Sequence, residues 1–268
     1  MGEGSYGGGV EVTATILAVA GAAGSSGKST TVAALAALLG ADGKRVVVID
    51  ADAQGTVTQW MGLQPDEAEL TLADVLLRKE PIANAIVATD VPGVKIIPGN
   101  DHLHAVGLQL PAMRGGEVRL RNALKDLPSD VDLVLIDCPG SLQSISISAM
   151  VAADHVITVA FPTMKEIQGI PALMDALEEV RELLNDRVRL SGIIPCMVPP
   201  SSQGKVYSEA LSLLSRTYGD LVTPAVRRSS QVAVSHAAGS PLPVHAPRER
   251  VTRDYRDVYA WFHKRGVF

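Results

Sequence analysis

Aromatic side chains are scarce in this chain: Phe, Trp and Tyr together make up 4% of the 268 residues. A packed interior must therefore be built from Ala, Val, Leu and Ile. The hydrophobic content of 47% is enough for one and excludes wholesale disorder. Two cysteines, Cys138 and Cys196, are too few for a disulfide framework and fit a reducing compartment. Long apolar runs are also missing, and no segment approaches the ~18 uncharged residues of a membrane span. Excess positive charge is absent too. A net charge of -5 argues against a polybasic protein while leaving room for a local basic patch. The six histidines show no metal-ligand spacing, and His102 and His104 carry no metal reading. The start, Met1–Gly9, is Gly-rich and lacks the charged-then-apolar order of a signal peptide. Residues 1–12 are expected to form a flexible tail and 13–268 a single domain.

What is present is alternation. Apolar, β-branched runs fall at 16–20, 46–49, 94–97, 133–136, 156–160 and 192–195, with a short edge strand expected at 221–223. Helical patterns lie between them, clearest at 29–39 (stopped at Gly40), 120–127, 172–184, 206–218 and 251–262. Residues 99–116 lack clean periodicity and read as irregular. Strands without polar alternation are buried on both faces, the mark of a parallel sheet covered by helices. The expected fold is therefore α/β, a doubly wound and mainly parallel sheet.

The segment from Gly21 to Thr30 follows the first strand and opens the first helix. In that context Gly27-Lys28-Ser29-Thr30 reads as a phosphate loop. Backbone N–H groups of Gly24, Ser25, Ser26 and Gly27 would turn toward phosphate oxygens, helped by the helix N-terminus. Lys28 would sit between the terminal phosphates, and the Ser29 hydroxyl would ligate Mg²⁺. Asp50, Asp52 and Asp137 all fall at strand ends, where the ligand of an α/β sheet lies.

The general form of this loop would need Gly where Ala22 stands. The segment instead resembles the deviant Walker A motif, K-G-G-x-x-K-S/T, of the ParA/MinD family. Asp50-Ala51-Asp52-Ala53-Gln54-Gly55 resembles that family's D-x-D-P-Q-G, and Asp137-Cys138-Pro139-Gly140 its D-C-P-P. Thr71–Leu76 and the V-R-R-S stretch from Val226 extend the likeness across most of the chain. The resemblance implies a P-loop ATPase fold with ATP or ADP and Mg²⁺ as ligands. It implies that Asp52 positions the attacking water and that Asp137 holds Mg²⁺. Asp50 would tie the loop to the metal's water shell. Adenine would lie against the loop after the sixth strand, where Met197 and Pro199 stand. The family's signature lysine falls on Ala23 here. Lys165, after the fifth strand, is the candidate replacement, or else a solvated lysine at a helix start.

Residues 221–268 hold eight Lys or Arg against three acids, +5 in a chain of -5, so the remainder carries -10. By resemblance this basic segment, with Arg227, Arg228, Arg253 and Arg256, would bind double-stranded DNA without base readout. An Arg250–Asp254 ion pair on a solvated helix face is the plainer reading. The resemblance further implies an ATP-dependent homodimer, a ParB-like centromere-binding partner and a cytoplasmic, nucleoid-associated life. A nucleotide-binding DNA adaptor with little hydrolysis and a MinD-like membrane ATPase remain alternatives. The apolar stripe Val251, Tyr255, Val258, Tyr259 and Phe262 would serve the membrane in the second, and more simply reads as the face that packs on the sheet.

Overall fold

The computed structural model describes residues 14–22, 27–78, 80–200 and 204–268. The expected tail at 1–12 and the loop residues Ala23, Gly24, Ser25 and Ser26 lie outside them. Seven strands, β1 (Thr15–Val19), β2 (Val46–Asp50), β3 (Val87–Ala88), β4 (Val94–Ile97), β5 (Leu133–Asp137), β6 (His155–Ala160) and β7 (Arg189–Pro195), form one sheet in the order β3-β4-β2-β5-β1-β6-β7. All neighbours are parallel except β3, which runs antiparallel to β4. The helices are α1 (Lys28–Ala41), α2 (Thr56–Trp60), α3 (Leu72–Arg78), α4 (His102–Gln109), α5 (Arg119–Ala123), α6 (Ser144–Ala152), α7 (Met164–Leu183), α8 (Lys205–Tyr218), α9 (Gln231–Ala237), α10 (Leu242–His245) and α11 (Arg250–Lys264).

Successive residues of each central strand feed two different cores, because strand side chains alternate faces. Ile16 and Ala18 pack with Ile49, Ile136, Leu72 and Leu173 on one side. Leu17 and Val19 pack with Leu35, Val48, Leu135 and Phe262 on the other. Helix α1 is apolar on nearly every side, which suits a helix enclosed between the sheet and α10 and α11. The stripe on α11 is consumed in this packing: Val251, Tyr255, Val258 and Phe262 are all buried. That removes the face a membrane-binding helix would need. No helix among the described residues is long and apolar enough to cross a membrane.

Four sequence expectations need correction. Residues 102–109, expected irregular, form α4, whose buried Leu103 and Val106 supply the contact that weak periodicity hid. Helix α1 runs through Gly40 to Ala41; a Cβ on Gly40 would stand 2.0 Å from the Pro92 carbonyl oxygen, so close packing and not termination requires glycine there. Helix α7 begins eight residues before 172 and carries Pro171 inside it. The expected edge strand at 221–223 is reduced to a single bridge between Val222 and Ile193.

Candidate nucleotide site

The register explains why distant residues meet. Strand β5 lies between β2 and β1, and Asp137 is level with both Asp50 and Val19. The carboxyl ends of β1, β5 and β2 therefore stand side by side, and two of them end in Asp. Helix α1 starts at Lys28, which is buried, with Gly27 at its N-cap in a left-handed conformation (φ 99°). A Cβ at Gly27 would also stand 3.0 Å from Cys196 Sγ, so conformation and space both require glycine.

The two buried carboxylates are used differently. One Asp50 oxygen accepts from the Thr58 backbone N–H at 2.9 Å and the Thr58 hydroxyl at 2.7 Å. The other accepts from the Asp52 N–H at 3.2 Å. Thr58 Oγ1 in turn accepts from the Gly99 N–H at 3.2 Å. Asp50 thus fastens the segment after β2 to the strand ends. Both Asp137 oxygens, by contrast, are buried with no hydrogen-bond partner. Burial raises the Asp50 carboxyl to about 7. Burial, and then the Asp50 charge, raise Asp137 well above the ordinary range; Ser29 and Lys28 oppose the shift. Two buried carboxylates at neighbouring strand ends favour cations beside them, and Lys28 is one.

Mg²⁺ fits such a site. It binds through one or two carboxylates plus substrate phosphates and not through a full protein cage. Among the described residues no group of three or more His, Cys, Asp or Glu forms such a cage. Asp137, with Ser29 beside it, offers hard oxygen donors of the kind Mg²⁺ takes, whereas the Asp50 oxygens are already engaged by Thr58 and Asp52.

Asp52 is half-buried, and its Oδ1 accepts from the Gln54 N–H at 3.0 Å, closing a tight turn before Gly55. It lines a cavity of about 320 Å³ with His104, Leu108, Pro139, Ser141 and Gln143. Lys165 is exposed at the first turn of α7 and lines a smaller cavity with Gly21, Ala22 and Glu166. Burial raises the Glu166 carboxyl, while Lys28 and then Lys165 oppose the shift. Both lysine charges therefore act on one carboxylate next to the loop.

A cavity of about 340 Å³ opens beside Gly27 and Thr30. Thr56 and Trp60 of α2, Met197 after β7, Val226, Arg228, Val232 and Tyr255 wall it. Pro199 is buried outside this lining. The Tyr255 hydroxyl lies 3.3 Å from Thr31 Oγ1 and 3.7 Å from Cys196 Sγ, tying α11 to α1 behind the loop. Sequence reasoning missed Thr58, Trp60 and the role of Tyr255. Only Tyr255 carried a signal, as a member of an apolar stripe.

The arginines separate. Arg227 grips Asp254 through two guanidinium bonds of 2.6 and 2.8 Å and a backbone N–H at 3.0 Å. Asp254 therefore pairs with Arg227 and not with Arg250. Arg228, Arg253 and Arg256 are exposed. Arg253 and Arg256 each bond only a backbone carbonyl, of Arg248 and Pro247 respectively.

Comparison with known proteins agrees with this geometry. A family model described as an AAA domain matches residues 14–190. The chromosome partitioning protein ParA of Caulobacter vibrioides is 33% identical over 230 residues, covering 85% of each chain. The sporulation initiation inhibitor protein Soj of Bacillus subtilis is 28% identical and covers 91% of this chain and 96% of its own. Cobyrinic acid a,c-diamide synthase from Mycobacterium smegmatis, solved with an ATP analogue and magnesium, superposes with a TM-score of 0.81 at 28% identity, covering 92% of this chain and 93% of that one. With a phosphate loop on β1, carboxylates closing β2 and β5, and relatives that match along most of their length, the chain belongs to the ParA/MinD family of P-loop ATPases.

Proposed function

We propose that the chain is a slow, Mg²⁺-dependent partition-type ATPase. It binds ATP or ADP at the strand ends and dimerises with ATP. The dimer binds double-stranded DNA without sequence preference, on the nucleoid in the cytoplasm. A ParB-like partner stimulates hydrolysis and so releases it. The observation that carries the nucleotide half is the fully buried Asp137 carboxylate, level with Asp50, on which Ser29 and Lys28 act. The family relationship and the three exposed arginines support the DNA half.

Within that reading, N–H groups of the loop from Gly24 to Thr30 and the Lys28 ammonium hold the phosphates. Asp137 and Ser29 would hold Mg²⁺, which when bound neutralises charge on the terminal phosphates. Asp50 anchors the switch segment through Thr58. Asp52, held in its turn by Gln54, orients water toward the terminal phosphate. The cavity beside Thr30 takes the base, against Met197.

Nucleotide affinity and turnover test this directly. Lys28→Ala should abolish ATP binding. Asp52→Ala should keep binding and lose turnover by 100-fold or so, the order of a single positioning group. Wild-type turnover in Asp52→Ala would remove Asp52 from the chemistry. Lys165 is proposed to supply the cation missing at Ala23, across a dimer that brings two nucleotides together. Sedimentation should show the ATP dimer weakened about tenfold in Lys165→Ala. An unaltered dimer would return Lys165 to an ordinary surface role.

A further inference from the structure

Two neighbouring residues of α11 hold two different segments around the cavity beside Thr30. Tyr255, itself in the wall, reaches Thr31 of α1 through its hydroxyl. Asp254 holds the segment after the last sheet strand. Its Oδ2 accepts from the Arg227 backbone N–H at 3.0 Å and from Arg227 Nε at 2.6 Å, and its Oδ1 accepts from Arg227 Nη2 at 2.8 Å. Residues 226–229 all line the cavity and lead into Val232 and Ala233 of α9, which line it too. On its other edge this segment is bonded to the stretch that follows β7. Val226 N–H donates to the Pro195 carbonyl at 2.8 Å, Val198 N–H to the Val226 carbonyl at 2.9 Å, and Arg228 N–H to the Val198 carbonyl at 2.8 Å. That stretch is irregular as well, with Met197 in a left-handed conformation (φ 56°) that a residue with a side chain seldom adopts. Bonds between two irregular stretches set their spacing from each other; they do not set where the pair stands over the cavity. Helix α11 supplies the fixed reference, because Val251, Tyr255, Val258 and Phe262 lock it into the core. A two-pronged guanidinium–carboxylate fork fixes orientation as well as adding energy. The Arg227 side chain is 47% exposed, which limits what the pair contributes to global stability. Its larger effect is on where the wall stands.

We infer that Asp254 is a positioning residue of the nucleotide site: through Arg227 it holds the wall at 226–229 where a nucleoside can be gripped, while the phosphate half of the site stands without it. The inference rests on the reading of this cavity as the seat of the base. The phosphate half is built elsewhere, from the N-terminus of α1 and the carboxyl ends of β2 and β5. Loss of the fork therefore acts on one half of the ligand.

The test separates those halves. Binding with Mg²⁺ is measured by calorimetry for ATP and for inorganic triphosphate, which fills the phosphate half alone, on wild type, Asp254→Ala, Arg227→Met and the double variant. Wild type should bind ATP more tightly than triphosphate. Asp254→Ala should weaken ATP about tenfold and leave triphosphate unchanged. Arg227→Met leaves the backbone N–H bond in place and should weaken ATP by less, and the double variant should be no weaker than Asp254→Ala, since the two side chains act as one unit. A purely structural role would weaken both ligands together. Equal losses of ATP and triphosphate, or undiminished ATP binding in the variants, would overturn the assignment of Asp254 and leave the ATPase reading intact. If Asp254→Ala does not fold, Arg227→Met decides by the same comparison. A wild type that binds ATP no better than triphosphate would remove the base from this cavity, and with it the role of Asp254. A wild type that binds neither would remove the ATPase reading itself.

Discussion

At the scale of single residues, two aspartates closing neighbouring strands do different work although they look alike in sequence. Asp50 has its oxygens filled by Thr58 and Asp52; Asp137 has none filled. Thr58 is therefore the pin of the switch segment, since its hydroxyl both donates to Asp50 and accepts from Gly99. Thr58→Val keeps the shape and removes that hydroxyl, leaving a buried carboxylate oxygen with one donor fewer. Its stability should fall by about 1–3 kcal/mol, read as a lower urea midpoint with an unchanged slope. A midpoint equal to wild type would show that the Thr58 backbone N–H alone holds Asp50. The aspartates, Lys28 and Ser29 were legible because their residue types recur at fixed points after strands. Thr58 was not, because a threonine eight residues after Asp50 carries no pattern. Arg227 was legible as a basic residue, but its ion pair was not, because its partner Asp254 is distant in sequence.

At the scale of elements, the β6–β7 edge makes a prediction of its own. His155 opens β6, is buried, and shares a 2.7 Å hydrogen bond with Ser191 of β7. Burial first, and then Arg189, hold its imidazole below the ordinary value, against a smaller pull from Asp154. The fold thus favours neutral His155. Between the lowered value and the ordinary one of about 6.5, the unfolded chain binds the extra proton. Stability from this residue is present above that range and lost as pH falls through it. His155→Gln keeps a hydrogen-bonding side chain that does not titrate, so its urea midpoint should fall less between about pH 7.5 and pH 5 than that of wild type. Equal losses would assign the acid sensitivity elsewhere. Elements whose periodicity serves one packed face, such as α11, were legible in type and nearly in extent. The two-residue β3 and the largely exposed α4 were not: one is too short to show alternation, and the other packs through only two buried residues.

At the scale of the whole molecule, a doubly wound, mainly parallel sheet followed from alternation and apolar runs. Which strand ends meet did not, because register is a property of pairing and not of spacing. The nucleotide site and the basic surface are joined physically. Tyr255 of α11 reaches Thr31 of α1, while Arg253 and Arg256 on the same two turns of α11 face solvent. A nucleotide that settles α1 thereby bears on the helix that presents the arginines. The most direct test of the account is duplex DNA affinity across a salt series, with Mg²⁺–ATP and with Mg²⁺–ADP, for wild type, Arg253→Ala/Arg256→Ala and Arg227→Ala. The account predicts tight, salt-sensitive binding with ATP and weak binding with ADP. It also predicts a log–log salt slope flattened by about one unit for each phosphate contact removed in the Arg253/Arg256 variant, and the wild-type slope in Arg227→Ala. Equal affinity with the two nucleotides, or no binding with either, would contradict it.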